Sequence, residues 1–207
     1  MGLIEVPNLG KVAIGRATME EVAQVQEIEN EVWGPDAVYP KSHPNEGQRF
    51  SDIWGPNGLA FTKYDELYRT FPAGIEVATN NNGHVLAYNA FIRLSLSDLR
   101  VKLPSYDMDL RRHVRDGAVC YVVNHTTRPG VSGLSGPMMS YMQTTAGHLV
   151  GSLATPSWPE HPYLFGEKGE RFWGKHGFVP VESTRTNEWS PVEGGKPVKM
   201  VVKMWQL

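Results

Sequence analysis

The chain is short of several things, and each shortage excludes a class of protein. It has one cysteine, Cys120, so no disulfide can close within it, and a reducing compartment is expected. No apolar run approaches the roughly 20 residues that a membrane-spanning helix needs. The opening residues, Met1 to Val6, lack the basic and long apolar segments of a secretory signal. The chain begins Met-Gly, but Val6 stands where N-myristoylation favours Ser or Thr. The expectation is a cytoplasmic protein with no membrane partner. Neither charge sign prevails: 20 Lys and Arg meet 22 Asp and Glu, a net charge of −2. Nucleic-acid binding calls for a basic excess or stripe, and neither is present. The one basic cluster, Arg111, Arg112, His113 and Arg115, reads as a solvated helix face. The seven histidines do not cluster or form a His-Glu-x-x-His motif, so no metal site is expected.

What is present fits one soluble domain of ordinary size. The 207 residues are 41% hydrophobic and 20% charged, enough to bury a sizeable core. Lys11 to Arg16 reads as a strand. Thr18-Met19-Glu20-Glu21 is a capping box, and Val22, Val25, Ile28 and Val32 recur at helical spacing to Gly34. Residues 34 to 72 are rich in proline and glycine yet carry Trp33, Tyr39, Phe50, Trp54 and Phe61 in them or at their edge. Disorder is poor in aromatics, so this is expected to be an ordered insertion, with a short helix from Lys63 to Thr70. Trp33 and Tyr39 would then form part of a substrate wall, or else the insertion is a homodimer interface.

Gly74 to Thr79 and His84 to Leu96 read as a hairpin around Asn81-Asn82-Gly83. Ser97 to Asp116 is polar and helical in part. Ala118 to His125 is a strand, and Pro137 to Val150 a helix. Ser152 to Thr155 is a short strand, and Glu167 to His176 a helix stopped by Gly177. Phe178 to Glu182 and Val198 to Trp205 close the chain as strands. The fold class is α/β or α+β, with a mixed sheet.

The chemistry is expected where the strand at 118–125 meets the helix at 137. The connection reads Arg128-Pro129-Gly130-Val131-Ser132-Gly133-Leu134-Ser135-Gly136. A helix N-terminus has free amides and a positive dipole end, and small residues let an anion come close. No lysine makes it a Walker loop, and the glycine spacing is not that of a Rossmann fingerprint. Read alone, the stretch is an anion site or an ordinary turn.

Its setting resembles the GNAT superfamily of N-acetyltransferases. Ile14 to Glu21, followed by Val25 and Ile28, is similar to the family's first strand and helix. The hairpin at Asn82-Gly83 is similar to its second and third strands, and Cys120 to Met139 to its acetyl-CoA motif. Arg171-Phe172-Trp173-Gly174-Lys175-His176-Gly177-Phe178 resembles its Phe-Tyr-x-Lys-x-Gly-Phe segment. The resemblance spans nearly everything except residues 34 to 72.

It implies a mixed, mostly antiparallel, V-split sheet flanked by about four helices, in a single domain over 1–207. Acetyl-CoA or another acyl-CoA would be the cosubstrate. Amides near Val123 and His125 would meet the pantetheine arm. Amides of Val131, Ser132, Gly133, Leu134, Ser135 and Gly136 would hold the pyrophosphate, with Arg128 and Ser135 adding charge and a hydroxyl. The acceptor, a primary amine on a small molecule, would attack the thioester directly. Aligned on Gly133, the family's Gln/Arg-x-x-Gly-x-Gly/Ala motif puts Gly130 at the Gln/Arg position and Ser135 at the second glycine. Trp173 occupies the position where the family often carries a thiolate-protonating tyrosine, and an indole N–H is a poor proton donor. Tyr163 and Tyr141 are the other tyrosines that could serve. These departures leave two further readings: a longer acyl-CoA or carrier-protein thioester, or a non-catalytic acyl-CoA-binding module.

Three other residues carry expectations. His125 titrates near neutrality and could take the amine's proton; the plainer reading is a histidine satisfied by backbone. Glu76 and Asn89 either point into the acceptor groove or face outward as polar strand residues. Cys120, flanked by Ala118, Val119, Tyr121 and Val122, reads as buried strand rather than nucleophile, and Met138, Met139 and Met142 as core.

Overall fold

A computed structural model describes residues 2–39, 41, 43, 45–56, 58, 62–95, 118–157, 166–181, 188–189, 198–199 and 201–207. The basic cluster at 111–115, the segment from 97 to 116, Phe61 and Tyr163 lie outside these residues. Contacts group the chain into two units, Met1–Ile92 with Val123–Met142, and Arg93–Val122 with Gln143–Leu207.

The first unit begins with a hairpin that the sequence did not announce, β1 (Gly2–Val6) and β2 (Gly10–Arg16). Asn8 and Gly10 take positive φ in its turn. Thr18 then caps α1 (Met19–Trp33). Its hydroxyl accepts from the Glu21 amide at 3.3 Å, and Glu21 accepts from the Thr18 amide at 2.8 Å. The insertion contains α2 (Phe50–Trp54) and α3 (Tyr64–Thr70). Ala37, Tyr39 and Phe50 form a small core of its own, and Val38 and Arg49 make a single antiparallel bridge. The predicted hairpin is β3 (Ile75–Asn80) and β4 (Val85–Ser95). Asn80 tightens its turn by accepting from the Asn82 and His84 amides, both at 3.0 Å, and Gly83 supplies φ of 77°.

Strand alternation sends side chains to two faces. Ile75, Val77, Tyr88 and Ala90 pack with Val22, Val25 and Ile28 of α1 and Tyr64 of α3. Ala78 and Ala87 pack on the other face with Val12, Ile14, Leu134 and Met138.

β5 (Ala118–Thr127) contributes residues to both units, as does α4 (Ser135–Leu149). In the second unit β5 pairs in parallel with β6 (Ser152–Ser157), which pairs antiparallel with β10 (Val201–Gln206), and β10 with β7 (Val179–Pro180). Helix α5 (Gly166–Lys175) ends at Gly177, whose φ of 78° lets the Phe178 amide reach back to the Trp173 carbonyl. Lys203 is buried and pairs with Glu170 at 2.6 Å. Two short strands, β8 (Glu188–Trp189) and β9 (Val198–Lys199), form a separate ladder. The main sheet is eight-stranded, in the order β1-β2-β3-β4-β5-β6-β10-β7. It is mixed and mostly antiparallel, as expected, and five α-helices are described. Cys120 is buried, and Met138, Met139 and Met142 are core.

Candidate functional site

The loop after β5 is held from inside and open on the outside. Leu134 is buried in the core beneath, while Ser132 and Gly133 are exposed. The Arg128 amide donates to Leu86, and the Val131 amide turns back to the Arg128 carbonyl at 3.1 Å. Val131 therefore spends its N–H inside the turn. The next five amides, from Ser132 to Gly136, donate to no described group. The first internal bond of α4 runs from the Met138 amide to the Leu134 carbonyl at 2.9 Å. Gly130 and Gly133 have φ of 79° and 84°, and a Cβ on Gly133 would come within 3.2 Å of Val6 Cγ1. The Ser135 and Thr127 hydroxyls lie 3.3 Å apart. Arg128 is 3.7 Å from the Glu31 carboxylate on α1, so its charge is shared with that helix.

His125 stands at the end of a buried chain. The Asn89 amide nitrogen donates to Glu76 Oε2 at 2.8 Å and to the Met138 carbonyl at 2.7 Å. Two acceptors fix which end of that amide carries nitrogen. Asn89 Oδ1 therefore faces His125, whose Nδ1 donates to it at 2.7 Å. The neutral ring then carries its lone pair on Nε2. Glu76 and Asn89 are both fully buried, so neither faces outward. The His125 amide is occupied, donating to Asn124 Oδ1 at 2.8 Å.

A second constellation lies on the α1 face, and the sequence reading missed its centre. Glu29 is 1% exposed. Its Oε2 accepts from Tyr64 at 3.2 Å, from the Asn124 amide at 2.8 Å, and from Tyr88 in a very short contact. The two phenols lie 3.1 Å apart. Asn124 Oδ1 accepts from Thr126, and Thr126 from the indole of Trp33, both at 2.8 Å. Burial pushes the Glu29 carboxyl up to about 7, although the bonds from Tyr88, Tyr64 and Asn124 pull it down. Burial, with the Glu29 charge adding to it, holds both phenols well above their usual range. A signal for this site was available. Glu29 follows Val22 by seven residues and Val25 by four, so it sits on the apolar stripe of α1.

The other candidates fall elsewhere. Tyr39 is buried in the core of the insertion, stacked on His43 at 4.2 Å, and its hydroxyl accepts from Trp54 at 2.7 Å. Trp173 packs between Phe172 and Phe178, with ring centroids at 5.1 and 4.9 Å. Tyr141 is half-buried against the core under the loop. Among the described residues no group of His, Cys, Asp and Glu could hold a metal, and no helix is long and apolar enough to cross a membrane.

No family model matches the chain, and no curated protein matches it by sequence. Solved structures do. One is a GNAT-family acetyltransferase from Streptococcus pneumoniae, 12% identical, with a TM-score of 0.58 over 95% of this chain and 99% of that one. Another is yncA, described as a putative acetyltransferase from Salmonella typhimurium with its cofactor acetyl-CoA, 16% identical, with a TM-score of 0.54 over 94% and 93%. A third is the diaminobutyrate acetyltransferase EctA from Paenibacillus lautus with L-2,4-diaminobutyric acid and coenzyme A, 12% identical, with a TM-score of 0.51 over 93% of each chain. The chain has the fold of the GNAT acetyltransferases.

Proposed function

We propose that this protein is an acyl-CoA-dependent N-acetyltransferase, a single catalytic domain acting on a primary amine of a small molecule. The observation that carries the reading is the run of free amides from Ser132 to Gly136 at the start of a 15-residue helix. Five donors and a dipole end at one exposed loop suit a pyrophosphate. Ser132, Gly133, Leu134, Ser135 and Gly136 hold it. Arg128, tethered to Glu31, lies at the edge of the site. The pantetheine arm follows β5 toward Val123. Solved neighbours of the same fold carry acetyl-CoA or coenzyme A, which supports the choice of anion.

The amine attacks the thioester carbonyl, the C–N bond forms, and coenzyme A leaves as thiolate. Trp173 packs against two phenylalanines and supplies no acid, so the thiolate takes its proton from solvent. The test is thermal stabilisation by acetyl-CoA together with thiol release over a panel of amines. Stabilisation and thiol release support the reading. No stabilisation by any CoA ester overturns it, and stabilisation without thiol release reduces the protein to a binding module.

A further inference from the structure

A buried carboxylate without a cationic partner is costly, and folds seldom keep one for stability alone. Among the described residues Glu29 has no cationic partner. The described titratable or polar groups that face it are Tyr64 from α3, Tyr88 from β4 and Asn124 from β5, and none of these carries a positive charge. All three donate to Oε2. Among the described residues Oε1 accepts nothing, so one oxygen is clamped and the other is left for a ligand.

The missing partner has a defined place. Asn124 lies between Val123 and His125, at the end of the stretch of β5 along which the pantetheine arm is proposed to run. Its side chain touches Glu29 at 2.8 Å. Asn124 and Trp33 are half-buried, so the network reaches toward solvent on that side.

We infer that Glu29 Oε1 binds the ammonium of the acceptor and takes its proton, with Tyr64, Tyr88 and Asn124 positioning the carboxylate through Oε2. The inference rests on the acyl-transfer reading above and adds the group that activates the amine. The steps balance. One proton passes from the ammonium to Glu29, leaving a free amine. The amine nitrogen then forms the bond to the acyl carbon as the C–S bond breaks. The second nitrogen-bound proton passes through solvent to the thiolate, and Glu29 returns its own proton to solvent. A carboxyl held near 7 suits this duty, because near neutral pH it takes up and releases a proton with little bias either way.

The experiment uses the full chain with coenzyme A bound and its glutamate carboxyl groups labelled with carbon-13. The Glu29 resonance is the one lost in Glu29→Gln. It is expected to titrate near 7 and to move on addition of at least one of agmatine, L-2,4-diaminobutyric acid or 2-phenylethylamine. With acetyl-CoA and the responding amine, kcat/KM should rise with pH through a limb near 7. Glu29→Gln should lose that limb and about 100-fold in rate, an ordinary loss for a removed base, while keeping its stabilisation by acetyl-CoA. Tyr88→Phe removes a bond that holds the carboxyl down, so its resonance and limb should move to higher pH. A resonance that titrates in the ordinary carboxylate range or ignores every amine, or an unchanged rate in Glu29→Gln, overturns the inference. Wild-type protein that acetyl-CoA fails to stabilise overturns the underlying reading instead.

Discussion

Glu29 and Glu76 are both buried carboxyl groups, yet the two faces of the β3–β4 hairpin treat them differently. Glu76 begins a chain through Asn89 to His125, and the Asn89 amide is pinned to the Met138 carbonyl as well. An amide held by two acceptors cannot turn over when a proton arrives. Glu29 is ringed instead by two phenols and one amide, and hydroxyl hydrogens rotate freely. Those donors can follow a change in its charge. The α4 face therefore gives a rigid support under the loop, and the α1 face a site that can gain and lose a proton.

The largest expected effect breaks the two faces apart. Gly133→Glu puts a side chain on a residue with φ of 84°, close to Val6, and adds an anion where the pyrophosphate is proposed to sit. Acetyl-CoA affinity should fall at least about 100-fold by calorimetry, a loss of nearly 3 kcal/mol. The Glu29 titration should be unchanged.

Glu29→Gln is next and acts on the other face. The folded carboxyl sits at about 7 against an ordinary 4.5, so it is raised. Between those values the unfolded chain has released its proton and the folded chain has kept it. Its stability is therefore highest below 4.5 and declines as pH rises through 7. Relative to Glu29→Gln, the wild type should lose roughly 3 kcal/mol across that window, at about 1.4 kcal/mol per pH unit. Urea unfolding at a series of pH values checks this. A pH-independent difference would place the carboxyl in its ordinary range.

Asn89→Leu sharpens the contrast. It removes the donor to Glu76 and the acceptor for His125 Nδ1, and should cost about 2–3 kcal/mol in unfolding free energy. The Glu29 resonance should keep its wild-type midpoint, because that carboxyl lies on the opposite face of the hairpin. Trp33→Phe is the mildest. Loss of the indole bond to Thr126 should cost about 1 kcal/mol and leave acetyl-CoA binding intact.

The sequence made local features legible and left distant ones hidden. The Thr18–Glu21 capping box, the Asn82-Gly83 turn and the Gly177 stop each depend on a few adjacent residues, and each stands in the structure as read. The β1 strand was missed because its five residues are short and half-exposed. The Glu29 site joins positions 29, 64, 88 and 124, on four elements, and no spacing rule links them. Only the carboxylate on the apolar stripe of α1 hinted at it. Glu76 and Asn89 pair directly across the β3–β4 register, so their shared face follows from the hairpin. Their full burial does not, because it depends on α4 packing over them.

The most direct test of the central claim is calorimetric titration of the wild-type chain with acetyl-CoA, beside Gly133→Glu. The account predicts saturable binding of one molecule per chain in the wild type and its loss in the variant. No heat of binding in the wild type, or the same affinity in both, would contradict it.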